Sequence, residues 1–200
     1  MKRTTISLIL LAVLAVSTVL PLIASQSQAK LEIRIENILL KHHGFEVGEI
    51  EALGPKPEIR QTLLRMVAKY RNAASDTEKS LDIILLDGAV FALGEMKEER
   101  ALQLLSDLLA DRTIDNNIRG RTARALGNID AEASKEVLLQ SLDPARPDYI
   151  TVRMAAIRAL GKTRDGAVVA ALQRYLKTEK DDHLRQSAIA SIRAIRSKIQ

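Results

Sequence analysis

Histidine is the side chain of this sequence best suited to acid-base catalysis or metal binding, and it occurs at His42, His43 and His183. The adjacent pair beside Gly44 could supply two metal ligands. On a helix, however, neighbours in sequence point about 100° apart, and a structural or catalytic metal site needs three or four converging donors. We therefore predict solvated histidines and no metal, cofactor or catalytic site.

Other catalytic signatures are missing from the sequence. The chain has no cysteine, which excludes thiol catalysis, disulfide bonds and cysteine-based zinc sites. No P-loop, GxGxxG or GxSxG pattern occurs, and no Ser, His and Asp can be grouped as a triad. Aromatic residues are only 2% of the 200 residues, which disfavours a stacking platform for single-stranded nucleic acid. These absences favour a binding protein over an enzyme.

The N-terminus has the three-part pattern of an export signal. Lys2 and Arg3 precede an apolar run from Ile6 to Leu20, and small residues follow at Ser27 and Ala29, where a signal peptidase would cut. We predict a signal peptide over residues 1–29, cleaved after Ala29, and an exported protein that is periplasmic or extracellular without a further membrane span. The alternative is an uncleaved anchor, since the segment from Ile6 to Ala24 is close to the ~20 residues that cross a bilayer.

Charge is distributed unevenly along the predicted mature chain. From Ala145 to the end there are twelve Lys or Arg and five Asp or Glu, a net charge of +7, whereas residues 30–144 carry a net charge of −4. Surface charge drifts along many repeat arrays. The asymmetry nevertheless leaves open an anionic partner at the C-terminal end.

The tripeptide Ala-Leu-Gly recurs at residues 92–94, 125–127 and 159–161, at steps of 33 and 34. After each copy, apolar residues align in register at spacings of one, three and four, the pattern of one helix face. A second amphipathic stretch precedes each copy. Each unit is therefore predicted to be a helical hairpin whose first helix ends at the glycine, in the left-handed conformation that glycine adopts without steric cost.

The residues around this tripeptide resemble HEAT repeats, in particular the subtype named after phycobilisome lyases, with the signature Val-Arg-x-x-Ala-Ala-x-Ala-Leu-Gly. Residues 152–161 fit every defined position, and residues 118–127 carry Thr122 at one alanine position. The resemblance implies an all-α fold, a right-handed α-α superhelix (a HEAT/armadillo-like solenoid) of about four helical hairpins. Because a single hairpin cannot bury its apolar face, the units must stack and share one core.

The chain divides into two regions after the signal. We predict a degenerate N-terminal helical cap or repeat at residues 30–75. HEAT-like repeats follow at about residues 76–111, 112–144 and 145–178, with a terminal cap at residues 179–200. Residues 30–42 are predicted as a helix, although the alternation from Leu31 to Ile35 could form a short strand, and Ser75 to Glu78 predict a capping box.

Three arginines lie early in the first helix of successive units, and each follows an acidic residue of the preceding turn. The arginines are Arg119, Arg153 and Arg185, and the acids are Asp111, Asp143 and Asp182. A cation near a helix N-terminus opposes the helix dipole. Each arginine is therefore predicted to pair with its acid and tie one repeat to the next, with ligand binding as the alternative.

The resemblance also implies a binding scaffold, with the second helix of each unit lining the concave surface. The predicted partner-binding residues are the outward positions of those helices: Glu99, Gln103, Asp107, Glu132, Glu136, Leu139, Gln140, Gln173, Arg174, Tyr175 and Lys177. Tyr175 is the kind of side chain that anchors interfaces, although it could equally fill the core. We predict a non-catalytic scaffold that binds a protein or peptide in the bacterial cell envelope; the sequence leaves its oligomeric state open.

Two other functions are alternatives to a protein-binding scaffold. An accessory subunit or enzyme could act on an anionic ligand at the basic C-terminal end, either nucleic acid or, as in a lyase, a tetrapyrrole. Export and the acids among the C-terminal cations make nucleic acid unlikely. Deoxyhypusine hydroxylase, an enzyme with this scaffold, holds iron through His-Glu pairs. No histidine here is followed by Glu, so we predict that this chain does not have that activity.

Overall fold

The computed structural model describes residues 24–41, 44–71, 80–145 and 147–200. Over these ranges the chain forms helices and turns without any strand, which confirms the predicted all-α class. The predicted signal segment up to residue 23, the pair His42 and His43, and the predicted capping box at Ser75 to Glu78 lie outside the described residues.

The helices follow one another with short connections. Helix α1 covers residues 24–39, so the strand considered for Leu31 to Ile35 is wrong. The others are α2 (Val47–Glu51), α3 (Lys56–Tyr70), α4 (Ser80–Glu95), α5 (Leu102–Ala110) after a 3₁₀ turn at Glu99–Ala101, α6 (Asn116–Asp130), α7 (Lys135–Gln140), α8 (Ile150–Leu160), α9 (Gly166–Thr178) and α10 (Asp182–Ile199). Within the described ranges, no helix has both the length and the apolar character needed to cross a bilayer.

Aspartates set the start of several helices by capping free backbone N–H groups. At α6, the Asp115 carboxylate accepts a hydrogen bond from the Asn117 N–H at 2.8 Å. Asp165 does the same for Ala167 at 2.7 Å at the start of α9, and Asp181 caps α10. The starts of these helices are therefore set by residues a few positions away in the sequence.

The repeated units form two layers of helices with an aliphatic core between them. Helices α4, α6, α8 and α10 pack side by side in one layer, and α5, α7 and α9 cover them in the other. Equivalent leucines of successive units are completely buried: Leu93, Leu126 and Leu160 in the first layer, and Leu105, Leu138 and Leu172 in the second. The core is thus continuous from unit to unit, as a stacked array requires.

The glycines of the repeated tripeptide do not end their helices in the left-handed conformation, so that prediction is wrong. Helices α4 and α6 continue past Gly94 and Gly127, and Gly161 follows α8 with a right-handed φ of −60°. The left-handed residue after α4 is Lys97, with φ 49°. The helix continues through Gly94 because the next backbone groups still find partners, such as the Met96 N–H on the Ala92 carbonyl at 2.9 Å.

These glycines instead permit close contact between neighbouring helices. A Cβ placed on Gly127 would lie 2.5 Å from the Cβ of Ala159, and one on Gly94 would lie 2.8 Å from Ala125. Real Cβ contacts are never this short. The absence of a side chain therefore lets α4, α6 and α8 approach more closely than any other residue would allow.

The two layers differ in packing, and the difference sets the curvature. The α4, α6, α8 and α10 layer is closely packed, whereas α5 and α7 diverge and leave a crevice of about 450 Å³ between them. An array bends toward the layer whose helices lie closer together. Helices α4, α6, α8 and α10 therefore form the inner layer and α5, α7 and α9 the outer layer, so the prediction that the second helices line the concave surface is wrong.

Candidate partner-binding face

The inner layer carries an open groove of about 790 Å³ between α6 and α8, which continues between α8 and α10. We name this depression the inner groove and define it by these residues: Asn117, Arg121, Arg124 and Asn128 from α6; Ile150, Thr151, Met154, Ala155, Arg158 and Lys162 on or just after α8; and His183, Gln186 and Ala190 from α10. Their spacings of three and four place them on the outward face of each helix. The volume is within the range of ligand-binding clefts.

Small residues form the floor of the inner groove. Ala155 and Ala159 of α8 face α6, and Gly120 of α6 lies against the backbone of Thr151, whose carbonyl oxygen would be 3.5 Å from a Cβ on the glycine. Longer side chains on either side form the walls. The depression is therefore a direct result of the close helix packing.

The cations of the inner groove differ in how they are neutralised. Arg121 Nε donates to Asp87 of α4 at 2.8 Å, but Arg124 lies 3.6 Å from its nearest carboxylate, Glu95. Within the described part of the chain, the exposed Arg158 makes no hydrogen bond or ion pair. The groove therefore carries positive charge that the protein itself leaves free.

Lys162 stands at the same end of the groove and donates to the side-chain oxygen of Asn128, a neutral acceptor. Partial desolvation lowers the pKa of Lys162, as does the charge of Arg124, while Glu95 opposes the shift. Two more lysines act in the same direction as Arg124: Lys97 and Lys198. Desolvation is the main cause of this pKa shift, and the neighbouring cations add to it.

Phe91 of α4 orients two of the arginines. The guanidinium carbons of Arg121 and Arg124 lie 5.6 and 5.5 Å from its ring centroid, within the range of cation-π attraction. Phe45 packs edge-on against Phe91 at 5.6 Å between ring centroids. The aromatic pair thus supports the guanidinium groups at the α4 side of the groove.

Apolar side chains are exposed at the other end of α8. Tyr149 is 66% exposed and Ile150 is 41% exposed, and Met154 is half-buried one turn further along. Ile150 and Met154 line the groove. The groove is thus apolar near the N-terminus of α8 and cationic near its C-terminus.

The partner-binding residues predicted from sequence lie on the outer layer and its turns instead. Nine of them are exposed but do not line the inner groove: Glu99, Gln103, Asp107, Glu132, Glu136, Gln140, Gln173, Arg174 and Lys177. Leu139 is half-buried and packs against the core. The prediction fails because it places the second helix of each hairpin on the concave side, where the structure has the first.

Tyr175 is buried rather than displayed as an anchor. Its hydroxyl donates to Glu179 Oε2 at 2.6 Å, and Arg153 Nη1 donates to the same oxygen at 2.5 Å. Burial is the main reason that the pKa of Tyr175 lies above its usual value, and the hydrogen bond to Glu179 acts in the same direction. Of the two roles considered for Tyr175, the structure places it in the packed interior.

Arg119 pairs with Asp148 and not with the predicted Asp111. Both side chains are 4% exposed, and Arg119 Nη1 donates to Asp148 Oδ1 at 2.7 Å. Arg119 Nε also donates to the Leu109 carbonyl at 2.9 Å. The bonds link α6 both to the end of α5 and to the segment before α8.

Burial alone would raise the pKa of Asp148. The hydrogen bonds from Arg119 and from the Tyr149 backbone N–H, with the nearby charges of Arg119 and Arg112, outweigh it, so the net shift is downward. Asp148 therefore remains ionised in the folded protein at neutral pH.

The other two repeat arginines also bind groups that the sequence did not predict. Arg153 pairs with Glu179, and Arg185 Nη1 donates to the carbonyls of Leu176 at 2.7 Å and Glu179 at 2.9 Å. A long arginine at this position reaches the end of a neighbouring helix.

The predicted acids serve local turns or other partners. Asp111 accepts from Thr113 and pairs with Arg71 at 3.2 Å, and Asp143 accepts from the Ala145 N–H at 2.9 Å. Asp182 occupies the first turn of α10, where its charge suits the helix dipole. The pairing predicted from sequence proximity is therefore wrong for all three arginines.

The inner groove was missed by sequence reasoning, although a signal for it existed. The helices that carry the Ala-Leu-Gly copies have small residues on two faces, as at Ala155, Ala156 and Ala159 of α8. One such face is enough for the core. The second indicates a close lateral contact between helices, which marks the inner layer.

A model of the HEAT-repeat family matches residues 77–151 and 115–193. Together these ranges cover more than half of the chain, which therefore belongs to the HEAT-repeat family. The chain is also similar to deoxyhypusine hydroxylase of Arabidopsis thaliana, with 32% identity over 112 residues, or 55% of this chain and 34% of that protein. It thus spans about a third of the length of this curated relative.

Metal ligands are sparse in the described part of the chain. Within it, no group of three or more His, Asp or Glu side chains is arranged to hold a metal ion. His183 lies in the inner groove.

Proposed function

We propose that this protein is an exported, non-catalytic HEAT-repeat scaffold that binds a segment of a partner protein in its inner groove. The observation that carries the proposal is the groove itself, which crosses α6, α8 and α10. It displays the exposed Ile150, the open side of the half-buried Met154 and the exposed Arg158, which makes no hydrogen bond or ion pair within the described part of the chain. Interfaces commonly combine an apolar centre with arginine.

A protein segment suits the groove better than nucleic acid does. The alanine floor and the apolar end of α8 match side chains rather than a sugar-phosphate backbone. Asp87 and Glu95 contact Arg121 and Arg124 on the α4 side, so the cations of the groove do not form the continuous track that a sugar-phosphate backbone follows.

The proposed export rests on the pattern of residues 1–29, and cleavage after Ala29 would remove the first turns of α1, residues 24–29. Residues 24–29 are all exposed, and Gln28 contributes one hydrogen bond, accepted from Arg65 Nη1 at 2.9 Å. N-terminal sequencing of the protein recovered from fractionated cells tests the proposal. A start at Lys30 outside the cytosol supports it, and an intact N-terminus in the cytosol overturns it.

Site-specific photocrosslinking tests the binding face. A photoreactive amino acid at Thr151, which is exposed in the inner groove, is compared with the same group at Gln140, which is exposed on the outer layer. We expect a discrete crosslinked partner from Thr151 only, and its loss when the neighbouring Ala155 is replaced by Phe. Crosslinks that form only from Gln140 would place the partner on the outer layer.

A further inference from the structure

Many cations in the described part of the chain contact a carboxylate directly. Lys69 lies 2.7 Å from Glu32, and Arg100 lies 2.6 Å from Glu98. The cations at the C-terminal end of the inner groove are different. Lys198 Nζ donates to the carbonyl of Gly161 at 2.8 Å, and Lys162 donates to an amide oxygen. Neither bond neutralises a positive charge.

The charges that act most on Lys162, at the C-terminal corner of the inner groove, are mainly positive. Three cations, Arg124, Lys97 and Lys198, act on it against one carboxylate, Glu95. The helix C-termini of the inner layer add partial negative charge at this corner. Arg158 of the same groove makes no ion pair within the described part of the chain.

We propose that Arg124, Arg158 and Lys162 form an anion-binding subsite of the inner groove that takes the carboxylates of an acidic partner segment. The inference rests on the proposed binding of a protein segment in this groove and names the chemistry of that segment. Binding of carboxylates would supply the negative charge that the protein lacks at this corner.

The order of side chains along α8 gives the segment a direction. Ile150, Met154 and Arg158 of α8 are four residues apart, so each step advances about 6 Å along the helix and turns about 40° around it, and Lys162 follows just after the helix ends. The stripe changes from apolar to cationic at its midpoint. The bound segment therefore places aliphatic side chains near the N-terminus of α8 and carboxylates near its C-terminus.

Fluorescence anisotropy with labelled synthetic peptides tests the subsite on the chain beginning at Lys30. The probe is a peptide of repeated Glu-Glu-Leu-Leu units. One control replaces Glu by Gln, which removes the carboxylates, and a second replaces Leu by Ser, which removes the aliphatic side chains. A labelled oligodeoxythymidylate is the nucleic-acid probe. We expect the Glu-Leu peptide to bind at least about tenfold more tightly than any other probe, a difference of about 1.4 kcal/mol.

Charge reversal provides the matched comparison. Arg158→Glu with Lys162→Glu reverses two exposed cations of the inner groove, and Arg174→Glu with Lys177→Glu reverses two exposed cations of the outer layer. The overall charge change is identical. We expect the first pair to weaken binding of the Glu-Leu peptide at least about tenfold and the second less than about twofold, with both variants melting cooperatively.

If the inner pair impairs folding, Arg158→Gln with Lys162→Gln is measured instead and must still weaken binding by more than about threefold. Equal effects of the two reversals, equal affinity for the Gln control, or tighter binding of the oligonucleotide each overturn the subsite. Those results leave the Thr151 crosslink intact as a measure of the binding face. Loss of that crosslink's specificity would remove the proposed function itself.

Discussion

Gly127 of α6 and Ala159 of α8 lie so close that a Cβ on the glycine would come within 2.5 Å of the alanine Cβ. The same relationship joins Gly94 to Ala125 at 2.8 Å. At the C-terminal end, a Cβ on Gly161 would lie 2.7 Å from the hydroxyl oxygen of Ser191. One repeated glycine thus sets the spacing of the whole inner layer.

Gly127→Ala is expected to destabilise the protein by about 1–2 kcal/mol. The added methyl group meets Ala159 Cα at 2.8 Å as well, and backbone cannot rotate away. Overpacking of this kind costs about 1–3 kcal/mol and exceeds the gain of up to about 1 kcal/mol from replacing glycine inside a helix. Urea unfolding followed by circular dichroism measures the difference.

Gly166→Ala is the matched control, since nothing lies within 4 Å of a Cβ at this position in the first turn of α9. It should leave the free energy of unfolding unchanged or raise it by up to about 1 kcal/mol. Equal stabilities of the two variants would contradict the role of Gly127 in helix contact.

Asp148→Asn is expected to reduce the free energy of unfolding by about 3 kcal/mol, because it leaves the buried Arg119 without its charged partner. Glu51→Gln removes one member of a much more accessible pair, in which Lys56 lies 3.3 Å from the half-buried Glu51, and should change stability by less than about 1 kcal/mol. Chemical denaturation at neutral pH compares the two. Similar losses would mean that burial of the Arg119 pair is not the source of the effect.

The same pair predicts a pH dependence. The pKa of Asp148 is lower in the folded protein than its usual value, so the unfolded state takes up the proton first as the pH falls. The stabilisation is therefore complete above the unfolded value of about 3.9 and is lost as the pH falls through the folded value. Unfolding measured from pH 7 downward should show the difference between wild type and Asp148→Asn shrinking below about pH 4. A constant difference would contradict the assignment.

Tyr175→Phe is expected to lower the free energy of unfolding by about 1–2 kcal/mol, because the variant loses a hydroxyl that bonds the ionised Glu179. Crosslinking from Thr151 should not change. Tyr149→Phe, at a side chain that is 66% exposed, should leave stability within about 0.5 kcal/mol of wild type. Unchanged stability of Tyr175→Phe with lost crosslinking would instead make Tyr175 an interface anchor.

A chain beginning at Lys30 is expected to unfold within about 1 kcal/mol of a chain beginning at Ala24. Residues 24–29 are exposed, and the hydrogen bond between Gln28 and Arg65 that they lose contributes about 1 kcal/mol or less. Thermal unfolding of the two purified chains checks this. A loss of several kcal/mol would show that these residues belong to the fold and would argue against their removal by a signal peptidase.

The sequence by itself determined the hairpins, their stacking and the continuous core. The repeated leucines, such as Leu93, Leu126 and Leu160, report local helical phase, and each step of 33 or 34 residues repeats one supersecondary unit. Aspartate caps such as Asp115 and Asp165 are also local. Such features can be predicted because each depends on residues a few positions apart.

Only the tertiary structure decided which layer is concave and which acids the arginines bind. Arg119 and Asp148 are 29 residues apart, and the nearer Asp111 was the natural choice along the chain. Gly127 would suit either a helix end or a close helix contact, and what distinguishes them is the position of α8, which follows from packing of the whole array. The inner groove could not be predicted for the same reason: its walls come from three helices whose separation is set by those contacts.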